Sequence, residues 1–74
     1  MNTYTAVLQH NPKDGWWTAV CAEVPAAISQ GRTAKEARTN LAEALTLVLE
    51  TQREEVLREA GKRARIEKVS VTAP

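Results

Sequence analysis

Between Gly15 and Glu50 the hydrophobic period of the chain changes once, from two to 3.6, with almost no spare residues at the change. The run Trp16-Trp17-Thr18-Ala19-Val20-Cys21-Ala22 alternates and is rich in strand formers. Pro25 ends that strand, because proline has no N–H to give a ladder. Ala26 to Gln30 then predicts a short third strand. Thr33 with Glu36 three residues on has the form of a capping box, so a helix is expected to open at Ala34. At about 100° per residue, Ala37, Leu41, Ala44, Leu45 and Val48 fall on one stripe, which must cover a sheet. A chain patterned in this way has few folds open to it.

The flanks extend the pattern. Asn2 to His10 predicts a first strand, with Tyr4, Ala6 and Leu8 on one face and Thr3, Thr5, Val7 and Gln9 on the other. Asn11-Pro12-Lys13-Asp14-Gly15 supplies a turn, since Pro presets φ and Asp-Gly accepts a positive φ near the end. The first two strands thus form a hairpin. Beyond Glu50, Val56, Leu57 and Ala60 drift off the stripe, which predicts a kink or break near Thr51 to Arg53. Gly61 fits a helix C-cap, followed by Lys62 and Arg63 near the negative end of the dipole. Arg65 to Thr72 alternates again, with Val69 and Val71 on one face, and predicts a final strand. The expected order is β-β-β-α-(α)-β in a single domain, residues 1–74. It is an α+β arrangement: an antiparallel three-stranded meander, a helix on one face and a C-terminal strand.

The 74 residues hold two Trp, one Tyr and no Phe, and much of the apolar fraction is Ala, which buries little area. Small domains with thin cores recruit a second copy or a partner, so a homo-oligomer, dimer or tetramer, is expected. A single cysteine excludes an intrachain disulfide, and no signal-peptide or membrane-spanning run is present. The expected compartment is the cytoplasm. Ten basic and nine acidic side chains leave a net charge of +1, which gives no global pull toward nucleic acid or lipid.

The ordered elements Trp17, Ala22-Glu23-Val24-Pro25-Ala26-Ala27, Gly31-Arg32-Thr33 and Glu36-Ala37 resemble the core of the HicB-like antitoxin family. That family reads aromatic, Pro-Asp-Leu-Pro-Gly-Cys, Gly-X-Thr, then Glu-Ala and a helix. The first Pro, the Gly and the Cys are replaced here by Ala22, Ala26 and Ala27. The resemblance implies a truncated ribonuclease H-like fold and a type II antitoxin that neutralises a small basic RNA-cleaving toxin, of the HicA-like kind, by direct binding. It also implies that Trp17 joins the core and Trp16 lies outside. Longer family members carry a DNA-reading domain after the core, so direct DNA binding is not expected of this chain, and any promoter contact would come from another polypeptide.

Metal-assisted phosphodiester cleavage needs converging carboxylates, one of them from the first strand of that fold. Met1 to Asn11 carries none, so no enzyme activity, cofactor or metal site is expected. His10 has no second ligand or nucleophile at useful spacing, and Cys21 has no resolving thiol and suits a buried strand position. Lys62-Arg63-Ala64-Arg65 is interrupted by acids nearby and fits a solvated helix end. Trp16 and Trp17 point to opposite faces, which makes Trp16 a candidate for binding a partner or a second copy. Glu36, Glu43, Leu47, Glu50 and Glu54 share one side of the helix. An apolar anchor among acids would complement a basic toxin surface, so Glu36, Glu43, Leu47 and Glu50 are the other candidates. Trp17, Pro25, Gly31, Thr33 and Gly61 are assigned structural roles, with Gly31 expected to supply backbone freedom before the cap. The alternative to an antitoxin is an orphan homo-oligomeric binding or adaptor module of the same fold with no toxin partner.

Overall fold

A short turn decides where the first hairpin closes. In the computed structural model, which describes residues 3–70, Gly15 takes φ 78°, a value that favours glycine. Its N–H donates to the Asn11 carbonyl at 2.8 Å, and the Asn11 N–H donates to Trp16 O at 2.8 Å. The Asn11 and Asp14 side chains accept from the Lys13 and Trp16 N–H groups at 3.0 and 2.9 Å, as Asx turns do. The turn joins β1 (Ala6–His10) to β2 (Trp17–Cys21), antiparallel with Leu8 opposite Ala19 and His10 opposite Trp17.

The corner after β2 forms without the family's first proline and its glycine, which are Ala22 and Ala26 here. Ala27 N–H donates to Val24 O at 2.9 Å, and Cys21 N–H donates to Ala27 O at 3.1 Å. Pro25 therefore sits second in a β-turn, the position its fixed φ suits. Ala27 is fully buried. The chain then enters β3 (Ile28–Gly31), which pairs antiparallel with β2, giving the meander order β1-β2-β3. β1 and β2 are shorter than the alternation suggested: residues 3–5 and Ala22, which are exposed, and the half-buried Trp16 stand outside them.

Thr33, in extended backbone, caps α1 (Ala34–Ala60), its hydroxyl accepting from Glu36 N–H at 3.0 Å. The reciprocal bond from the Glu36 carboxylate is not made among the described residues. Ala37, Leu41 and Leu45 of α1 are buried against Ala19, Cys21 and Ala27, with Ala6, Leu8, Trp17, Val24, Val48 and Leu49 packed around them. The face assignments from alternation hold, including Trp17 on the core side. Two polar bonds from or to β3 pin the helix: Ser29 hydroxyl to Ala37 O at 2.7 Å, and Asn40 side-chain N–H to Gln30 O at 3.0 Å.

Gly31 serves a different purpose from the one its sequence position suggested. Its φ is not positive; the positive-φ glycines are Gly15 and Gly61. A Cβ at Gly31 would lie 2.6 Å from Ala37 N and 2.9 Å from the carbonyl carbon of Glu36. Only a hydrogen fits where β3 meets the first turn of α1.

Two expectations for the C-terminal third are corrected. First, α1 runs unbroken through Thr51 to Arg53, since residues 51–60 contain neither Gly nor Pro and consist mainly of good helix formers. A helix of 27 residues is about 40 Å long, whereas five-residue strands span only about 17 Å. The sheet therefore ends beneath the middle of the helix, and Val56, 67% exposed, has nothing to cover it. Second, the final strand is not formed: Arg65–Ser70 pairs with no strand among the described residues, and Val71 and Thr72 lie outside them. The straight helix has carried the chain past the end of the sheet. Gly61 does end the helix, at φ 76° and ψ 179°, a conformation essentially restricted to glycine.

Candidate functional site

The outer side of α1 presents the acids that the helical period grouped together. Glu36, Glu43, Glu50 and Glu54 are all exposed, and Leu47 among them is 64% exposed. They cluster because residues three, four and seven apart return to one side of a helix. The core stripe occupies the opposite side, so packing leaves these five free. Leu47 also borders a groove of about 320 Å³ lined by Ala26, Val48, Thr51, Gln52 and Glu55. An apolar side chain beside a shallow depression, framed by carboxylates, is suited to a protein surface carrying basic and apolar groups.

Trp16 lies elsewhere. It precedes β2 and is half-buried, with the Arg32 guanidinium 4.9 Å from its ring centre, a cation–π distance. Alternation turns Trp16 to the side of the sheet away from the helix, together with Val7, Val20 and Ile28. The sheet therefore separates Trp16 from Glu36, Glu43, Leu47 and Glu50. The five candidate residues form two surfaces.

Sequence reasoning missed a clamp at the base of the hairpin. The Glu23 carboxylate accepts from the Thr5 N–H and the Thr5 hydroxyl, each at 2.7 Å, and from the Cys21 thiol at 3.5 Å. The Thr5 N–H first, then the Thr5 hydroxyl, hold the carboxyl down to about 2 from its ordinary 4.5. The pairing is not legible in the sequence, because the partner of Glu23 is 18 residues away and no local pattern links them. Cys21 itself is buried. His10 packs its ring on Trp17, centroids 4.8 Å apart. Among the described residues no three His, Cys, Asp or Glu side chains converge as metal ligands would, and no helix is long and apolar enough to cross a membrane.

The UPF0150 protein ssl0738 of Synechocystis sp. is 37% identical to the chain over 54 residues, covering 73% of this chain and 74% of that protein. The chain belongs to the UPF0150 family. The motif order from Trp17 to Ala37 is similar to that of the HicB-like antitoxins. No protein-family model and no solved structure matches the chain. Among the described residues the architecture of this UPF0150 chain is a three-stranded sheet and one helix, with the acidic helix side and the Trp16 side as its two candidate surfaces.

Proposed function

We propose that this UPF0150 chain is a cytoplasmic antitoxin, a binding protein that neutralises a small basic RNA-cleaving toxin by covering it. The observation that carries the reading is the exposed Leu47 set among Glu36, Glu43, Glu50 and Glu54 on a helix side that the fold leaves bare. Acids around an apolar anchor attract a phosphate-binding surface and then exclude water from the contact. Such a protein neutralises by occupancy, so it requires neither a catalytic residue nor a cofactor. The resemblance to HicB-like antitoxins supplies the partner class.

The core favours self-association as well. Its buried members among the described residues are Ala19, Cys21, Ala27, Ala37, Leu41 and Leu45, so only two of them are large aliphatic side chains. A homo-oligomer would add the apolar burial that the isolated chain lacks. Self-association without a toxin is the orphan-module alternative.

Affinity purification of the tagged protein from its native host, with the bound chains identified by mass spectrometry, separates the two. The antitoxin reading expects a small basic protein in fixed stoichiometry, toxic when expressed alone and harmless with this chain. Recovery of a homo-oligomer and nothing else overturns it in favour of the orphan module.

A further inference from the structure

The meander has two outer edges, and they are not equivalent. At β3, the Gln30 carbonyl already accepts from Asn40 on the helix. At β1, Asn11 and Thr5 bond inward to β2, so by antiparallel alternation the N–H and C=O groups of Ala6, Leu8 and His10 point outward. No strand among the described residues pairs with them. Beside the start of this edge, between β1 and α1, runs a groove of about 240 Å³ lined by Tyr4, Thr5, Ala6, Arg38, Leu41, Ala42 and Leu45. It is apolar apart from Arg38, Thr5 and the Tyr4 hydroxyl. An unpaired edge beside an apolar groove is a template for an added strand.

The chain also carries a segment of complementary chemistry. Arg65–Ser70 is exposed throughout, with Val69 84% exposed. In extended backbone Glu67 and Val69 share a side, two residues apart. Glu67 against Arg38 and Val69 against Leu41, Ala42 and Leu45 would match the groove in charge and polarity. Among the described residues Glu67 is otherwise held only by Arg65, at 2.9 Å on the surface, a contact of little worth there.

Reach decides whose segment this is. β1 runs from beside Leu45 back toward the start of α1, whereas α1 continues beyond Leu45 for about 24 Å before Gly61. Arg65 lies only about 14 Å of extended chain beyond Gly61. Arg65–Ser70 therefore cannot lie along its own β1 while α1 is straight. The β1 edge of a second copy is under no such constraint.

We propose that the chain dimerises by reciprocal strand addition, in which residues 65–70 of each copy pair antiparallel with the outer edge of β1 in the other, placing Glu67 at Arg38 and Val69 in the groove. This defines the self-association suggested above and does not rest on the toxin reading. A monomeric variant that still neutralises a toxin leaves that reading intact.

Light scattering on the full-length chain, with isotope-filtered nuclear Overhauser spectra on a mixture of labelled and unlabelled protein, tests it. The wild type should be a dimer, with Val69 methyl contacts to Ala6 and Leu41 appearing between copies. Val69→Pro removes a ladder donor in a segment outside the helix, so it should weaken dimerisation by roughly tenfold or more with unchanged helical circular dichroism. Arg38→Glu and Glu67→Arg should each weaken the dimer, and the double reversal should restore it. A monomeric wild type, a dimer indifferent to V69P, or Val69 contacts confined within one copy would overturn the proposal.

Discussion

Glu23 and Thr5 close the open end of the first hairpin: one carboxylate accepts both the backbone N–H and the hydroxyl of Thr5, each at 2.7 Å. Because the carboxyl is held at about 2 instead of 4.5, the unfolded chain binds the proton more readily throughout that interval. The stabilisation is present above 4.5 and is lost as pH falls toward 2. Thermal melts of wild type and Glu23→Gln should show it: their difference in Tm should shrink between pH 4.5 and 2. An unchanged difference across that window would mean that the clamp contributes nothing to folding.

Gly31→Ala tests the contact between β3 and α1. The new Cβ would meet backbone atoms at 2.6 and 2.9 Å, which do not swing aside as a side chain does. Overpacking of this kind costs about 1–3 kcal/mol, measurable by urea denaturation. A neutral result would show that the first helical turn can lift away from the strand.

The two halves of α1 should respond differently to truncation. Leu41 is 4% exposed, and Leu41→Ala should cost about 2–5 kcal/mol, a large part of the roughly 4–11 kcal/mol available to a domain of this size. Val56→Ala, beyond the sheet, should change stability by less than about 0.5 kcal/mol. Amide exchange should follow the same division, with residues 37–49 protected nearly to the global limit and residues 51–60 opening locally.

Replacing Thr33 with Ala removes the acceptor for the Glu36 N–H. Loss of such a cap costs about 1 kcal/mol, and the same denaturation experiment reads it. Thr33→Ser should recover most of the loss, because the hydroxyl carries the bond.

Under the proposed antitoxin function, toxin affinity should separate the two candidate surfaces. Glu43→Lys with Glu50→Lys should weaken binding by roughly tenfold or more and lessen its salt dependence. Trp16→Ala, on the other side of the sheet, should leave affinity within about twofold while losing the roughly 0.5–1 kcal/mol contact with Arg32. Calorimetric titration at two salt concentrations reads both. Equal effects would mean that the partner wraps around the edge of the sheet.

Local physics determined the parts that depend on neighbours in the chain. Asp14-Gly15 specified the hairpin turn, Pro25 the corner and Thr33 the helix start, each through backbone constraints set within a few residues. Alternation in β1 and β2 and the 3.6 period from Ala37 to Val48 assigned the inward faces, because both sides of each contact are periodic. The same period grouped Glu36, Glu43, Leu47 and Glu50. Tertiary structure alone decided what depends on distance between elements. The Glu23 clamp joins residues 18 apart, and the need for Gly31 arises from the closeness of Ala37 N, not from its own dihedrals. The straight path of α1 beyond Glu50 was hidden because apolar periodicity presumes a core on every turn, and only the finite length of the strands shows where that core stops. That mismatch between a helix of about 40 Å and strands of about 17 Å carries Arg65–Ser70 away from its own sheet and leaves the edge of β1 open.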